Sequence, residues 1–112
     1  MTVGDVHWVE LPPTTGQEQS GRRPAVIIQD EAYAGRLPVV LTVPLTMATS
    51  TLRFPGALLV HPSPENGLHH LSVALVFQTR AIDRRRIGER IGTVSAEVLA
   101  EIFATLDKLL GR

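Results

Sequence analysis

The chain has 112 residues, 44% of them hydrophobic, with 11 basic against 11 acidic side chains and no cysteine. That length suits one domain over residues 1–112 with its own core, and the missing cysteines exclude a disulfide scaffold, a thiolate zinc site and a cysteine nucleophile. Apolar runs such as AVII at 25–28 fall far short of the roughly 18 residues that span a bilayer, and MTVGDVHW lacks the basic and apolar regions of a secretory signal, so a soluble cytoplasmic protein without membrane contact is expected.

The first two thirds read as short strands divided by turn residues. Residues 6–11 form a strand that Pro12 and Pro13 stop, and the polar, glycine-bounded TTGQEQSG at 14–21 is a loop. PAVIIQ at 24–29 has the length and continuity of a buried strand. Residues 39–45 alternate, with Val39, Leu41, Val43 and Leu45 on one face and Val40, Thr42, Pro44 and Thr46 on the other, which sets Thr46 opposite the expected core. A long loop at 47–55 precedes a short strand at 57–61, a turn at 62–68 built on Asn66-Gly67, and a strand at 71–77 that puts Phe77 on the face of Val73 and Leu75.

The last third changes character. Asp83 caps a single helical turn over 84–87 that Gly88 ends, and a brief strand follows at 90–94. Ser95 caps a helix running to about Leu110, with Val98, Leu99, Ile102, Phe103, Leu106, Leu109 and Leu110 on one stripe. Strands first and a helix last give an α+β fold, a small bent antiparallel sheet or open barrel carrying a helix.

The neutral charge balance argues against a bulk nucleic-acid-binding protein. Arginine nevertheless supplies all the cations except Lys108, and it is the side chain suited to bidentate phosphate contacts. Arg84, Arg85 and Arg86 spread around the axis of their turn and read as a solvated patch. The four histidines, His7, His61, His69 and His70, have no ligand spacing, so neither a metal site nor a cofactor is expected. His61, His69 and His70 flank a turn and are expected on the surface rather than in acid–base chemistry. Arg23 stands where a polar loop runs into a buried strand, and Pro24 biases it towards extended backbone. An arginine held there either stabilises charge on a phosphate or pairs with Glu18 or Asp30.

The segments GDVHWVELPPTTGQEQSGRRPAVIIQ, VVLTVPLT, SVALVFQTRAID and RIGTVSAEVLAEI, in that order, resemble the MazF/PemK family of toxin endoribonucleases over most of the chain. The specific signature is GD-x-x-W-V followed by G-x-E-Q-x-G-x-R-P. The resemblance implies a small SH3-like β-barrel (CcdB/MazF/PemK-like) with a C-terminal helix, assembled as a homodimer. It implies metal-independent, sequence-specific cleavage of single-stranded RNA, with mRNA the expected target, and neutralisation by a cognate antitoxin. DNA contact would arise only within a toxin–antitoxin complex. The family's catalytic pair falls on Arg23 and Thr46, with Glu18 as the glutamate of the loop.

RNA contacts would then involve Gln17 and Gln19 in that loop, Arg53 and Phe54 in the second loop, and Phe77, Gln78 and Arg80. Two positions depart from relatives: Gln17 replaces a histidine found in some, and Phe77 replaces an acidic residue found in several, leaving it to core packing or to stacking on a base. The implied reaction is attack of the substrate's own 2′-hydroxyl on phosphorus, giving 2′,3′-cyclic phosphate and 5′-hydroxyl ends. Two other readings share the fold: a non-catalytic toxin that binds DNA gyrase, and a catalytically weakened module that binds RNA or a partner.

Overall fold

The computed structural model describes residues 1–13, 16 and 20–112. Seven strands form one antiparallel sheet: β1 (Asp5–Leu11), β2 (Gly21–Ile27), β3 (Val39–Thr46), β4 (Ala57–Val60), β5 (Ser72–Leu75), β6 (Arg80–Asp83) and β7 (Ile87–Thr93). Their order is β4-β5-β3-β2-β1-β7, with β6 also paired to β3. Two helices complete the chain, a short α1 (Glu31–Ala34) and the C-terminal α2 (Ala96–Leu109).

The sheet turns on β3. Thr42 pairs with Ile27 of β2 on one edge and with Arg80 of β6 on the other. Beyond Thr42 the second edge changes partner, so that Leu45 and Thr46 face Ala74 and Val73 of β5. One strand thus joins two differently oriented parts of the sheet, and the bend between them gives the open barrel. The alternation expected along β3 holds only in part. Leu41 is exposed and Val40 fully buried, while residues 43–46 are buried on both faces. A strand flanked on both edges and covered on both sides has no solvent face for the pattern to mark.

The main core gathers Val6, Val26, Val43, Leu45, Val60 and Val76 around Ile102 of α2. A smaller cluster of Val9, Leu11, Ala25 and Ile82 lies elsewhere on the sheet. Ser95 caps α2 as expected, its hydroxyl oxygen accepting from the Val98 backbone N–H. Only the first part of the α2 stripe is well covered: Ile102 is buried and Val98, Leu99 and Leu106 pack against the core, but Phe103, Leu109 and Leu110 remain exposed.

Several boundaries differ from the sequence pattern, each for a local reason. The second strand starts at Gly21 rather than residue 24, because Gly21, Arg22 and Arg23 pair with Leu11, Glu10 and Val9. The strand expected to reach residue 77 stops at Leu75, and Val76–Gln78 forms a 3-10 turn. The two-residue period is broken there, which leaves Phe77 exposed instead of packed beside Val73 and Leu75. Part of the 47–55 loop is a 3-10 turn, Thr49–Arg53. The turn capped by Asp83 is also 3-10 and ends at Arg86, letting β7 begin at Ile87. The short elements α1 and β6 carry too few residues for a periodic signal.

The β4–β5 connection closes the barrel by lying across β7. Glu65 carbonyl accepts from Thr93 N–H at 2.8 Å. Buried Asn66 ties the turn together: its Oδ1 accepts from Ser63 N–H and Leu68 N–H, each at 3.0 Å, and its Nδ2 donates to His61 carbonyl at 2.9 Å. Two glycines allow the close approach. A Cβ on Gly67 would sit 1.9 Å from Ile91 carbonyl oxygen, and one on Gly92 would sit 2.3 Å from Asn66 carbonyl carbon.

Candidate active site

A cavity of about 620 Å³ opens where β1, β2, the end of β3 and the β4–β5 connection converge. Arg22, Arg23 and Pro24 form one wall, Leu45 and Thr46 another, and His69 and His70 a third, with Trp8 and Ile91 completing it. Both members of the expected catalytic pair therefore open on the same space. Among the described lining residues there are two guanidinium groups and no carboxylate, so the site favours an anion.

Arg23 is held by its neighbours. Its strand position opposite Val9 fixes the backbone, and its Nε donates to Ser20 carbonyl at 3.1 Å. That bond orients the guanidinium plane and leaves the two terminal nitrogens to engage a phosphate in a fork. Asp30, one alternative partner, instead caps α1 by accepting from Ala32 N–H at 2.8 Å. Arg22 stacks over Trp8, with its guanidinium carbon 4.3 Å from the ring centroid, so it too is restrained before any ligand arrives.

Thr46 is 5% exposed, and its Oγ1 accepts from Ala48 N–H at 3.2 Å. The contact occupies a lone pair, leaving the hydroxyl hydrogen available for donation to a phosphoryl oxygen. Arg23 and Thr46 thus come from adjacent strands, each with one polar contact that sets its orientation.

The remaining expected site residues divide into three groups. Gln17, Glu18 and Gln19 lie outside the described residues. Arg53, Phe54 and Phe77 meet one another but do not line the cavity: the phenylalanine centroids are 5.5 Å apart, and the Arg53 guanidinium carbon is 4.4 Å from the Phe54 ring centroid. Gln78 is half-buried in its 3-10 turn, and Arg80 pairs with Thr42, whose Oγ1 donates to Arg80 carbonyl at 3.2 Å; both side-chain positions are away from the cavity walls.

Sequence reasoning missed His69 and His70. They are exposed, as a turn location implies, yet they also form part of the cavity wall. The chain bends at these two residues, so they do not alternate as neighbours in a strand would. Trp8 and Arg22 were legible only through their partners, Trp8 pairing with Pro24 across the β1–β2 ladder. His7 has a different role. It is buried in β1, and its Nδ1 donates to Gly88 carbonyl at 2.9 Å, away from the cavity.

The arginine run behaves as a solvated turn. Asp83 holds Arg85 through two side-chain contacts, at 2.9 and 3.1 Å, and these hydrogen bonds, reinforced by the positive charges of Arg85 and Arg86, lower the Asp83 pKa from 3.8 to about 2. Among the described residues no group of three histidine, aspartate or glutamate side chains is placed to hold a metal ion. Among the same residues no helix is long and apolar enough to cross a membrane.

A small bent antiparallel sheet with a C-terminal helix, and an arginine–threonine cavity at the strand ends, defines a compact open-barrel protein with an anion-favouring site. Residues 2–110 match the family described as PemK-like, MazF-like toxin of type II toxin-antitoxin system, and the chain belongs to that family. It is 34% identical to the endoribonuclease toxin MazF of Escherichia coli K12 over 110 residues, covering 97% of this chain and 93% of that protein. It is 32% identical to the endoribonuclease MazF of Staphylococcus saprophyticus, covering 99% and 92%. The crystal structure of MazF from Deinococcus radiodurans superposes with a TM-score of 0.84 at 31% identity, covering 100% of this chain and 97% of that one. A MazE–MazF structure from the same organism gives 0.75 at 30% identity, covering 99% and 96%.

Proposed function

We propose that this protein is a toxin endoribonuclease that cleaves single-stranded RNA, using the substrate's 2′-hydroxyl as the nucleophile. The observation that carries this reading is the opening of Arg23 and Thr46 on one cavity whose described walls hold no carboxylate. The nucleophile is already present in RNA, so the protein has to position the phosphate and stabilise the charge that grows on it. Arg23 clamps the non-bridging oxygens through its terminal nitrogens, and Thr46 donates its hydroxyl hydrogen to one of them. Charge develops on these oxygens as O2′ attacks and O5′ departs, so both contacts strengthen in the transition state. The products are a 2′,3′-cyclic phosphate and a 5′-hydroxyl.

The reading extends to partners. A cognate antitoxin neutralises the toxin, as the family assignment and the solved MazE–MazF relatives suggest. The chain assembles as a homodimer through the apolar surface left by α2 and the neighbouring turns. Phe77 and Leu109 both adjoin Gly56 there, and Phe54 contacts Phe77, giving a continuous apolar face of the kind that copies of a chain cover. Phe77, Phe54 and Arg53 then serve this face rather than the catalytic cavity.

Incubation with a long single-stranded RNA, in excess chelator, tests the proposal. Cleavage leaving cyclic phosphate and 5′-hydroxyl ends supports it, together with a loss of about 10²–10³-fold in Arg23→Ala with the fold retained. An Arg23→Ala protein that cuts at the wild-type rate ends it. Binding to DNA gyrase without RNA cleavage would establish the other class of toxin.

A further inference from the structure

We infer that His70 accepts the proton from the attacking 2′-hydroxyl, an inference that rests on the ribonuclease reading above. The reaction needs such an acceptor, and neither member of the arginine–threonine pair is suited to it. A guanidinium stays protonated throughout the working range, and a threonine hydroxyl is a donor to phosphate oxygens rather than a base. The titratable groups that face the cavity from its described walls are Arg22 and Arg23 on β2 and the two histidines on the β4–β5 connection. Imidazole alone among these side chains takes up and releases a proton near neutrality.

The two histidines are not equivalent. His69 also borders a shallow neighbouring depression formed with Pro62, Ser63 and Pro64, whereas His70 borders the main cavity alone. The backbone at His70 is tied down as well. Buried Ser72 donates from Oγ to His70 carbonyl at 3.0 Å, and the preceding turn is pressed onto β7 at Gly67 and Gly92. His70 is therefore an exposed residue on an anchored backbone, lining the same cavity as Arg23 and Thr46.

The step balances as follows. The O2′–H bond breaks and its proton passes to a ring nitrogen of His70, while O2′ bonds to phosphorus and the P–O5′ bond breaks. Water entering through the open mouth of the cavity protonates O5′, and the hydroxide so formed is neutralised by the proton that His70 then releases.

The test is the pH dependence of single-turnover RNA cleavage between pH 5 and 9 for wild type, His70→Ala, His69→Ala and His61→Ala. Wild type rises about tenfold per pH unit at the acid end and then levels off, as a reaction that needs one unprotonated base does. His70→Ala loses about 10²–10⁴-fold on the plateau, lacks the acid limb, and recovers activity with added imidazole. His69→Ala keeps the limb, and His61→Ala, away from the cavity, matches wild type in rate and profile. His70→Ala with an unchanged limb and a rate within a few fold of wild type overturns the inference while leaving the ribonuclease reading intact. Loss of the limb in His69→Ala instead also overturns the assignment to His70. A folded wild-type protein that cuts no RNA removes both readings.

Discussion

Replacing Gly67 with alanine tests how the barrel is closed. The new Cβ would lie 1.9 Å from Ile91 carbonyl oxygen and 2.7 Å from its carbonyl carbon, and no side-chain rotation relieves a clash with backbone. Gly67 also has φ +70, a left-handed conformation that costs an L-residue about 1–2 kcal/mol. To make room the turn must lift from β7, straining the Thr93–Glu65 hydrogen bond and the Asn66 contacts, which adds about 1–3 kcal/mol. The whole effect is about 2–5 kcal/mol, a large share of the 5–15 kcal/mol that holds a typical domain together. At about 4 °C per kcal/mol the melting temperature falls by at least about 8 °C, measured by circular dichroism. Gly35→Ala is the control: nothing lies within 4 Å of its added Cβ and its φ is −85, so its melting point stays level or rises by the few degrees expected for a gain of about 0.4–1 kcal/mol. A Gly67→Ala protein melting within about 3 °C of wild type would refute the claim that backbone contact sets the height of this turn.

Three further outcomes are expected. Thr46→Val, which keeps the shape and removes the hydroxyl, slows single-turnover cleavage about 10²–10³-fold while Thr46→Ser retains most activity; equal rates in Val and wild type would remove Thr46 from the chemistry. The folded-state pKa of Asp83 is depressed from 3.8 to about 2, so its contribution to stability is present above pH 4 and is lost as pH falls towards 2. The melting-point advantage of wild type over Asp83→Asn should shrink across that window, and a gap that stays constant from pH 5 to 2 would contradict the assignment. Under the proposed homodimer, Leu109→Glu, which places a charge in the exposed apolar face, gives a monomer by light scattering where wild type is a dimer; a variant as dimeric as wild type would place the interface elsewhere.

The parts of the fold that were legible in the sequence are those with a local cause. Ser95 and Asp83 announce their helical turns because a short polar side chain before a helical segment has a backbone N–H to receive. Asn66-Gly67 marks its turn because the left-handed position needs glycine. What stayed hidden depends on contacts between distant segments. Both edges of β3 are filled by segments far along the chain, β2 on one side and β6 and then β5 on the other. The site shows the same division. Arg23 and Thr46 were legible through strand placement and the family signature, and their convergence on one cavity is what the fold adds. The place of His70 on the cavity wall was unreadable because it depends on the turn lying on β7, a contact between residues some 25 positions apart that no local pattern announces.

That crossing has an evolutionary consequence. Where main chain rests on main chain, the elevation of a rim is fixed by two missing side chains rather than by the exposed groups it carries. Histidines 69 and 70 can be exchanged for other groups without disturbing the platform that carries them. On such a rim the exposed groups can change while the architecture stands still, so long as neither glycine acquires so much as a methyl group.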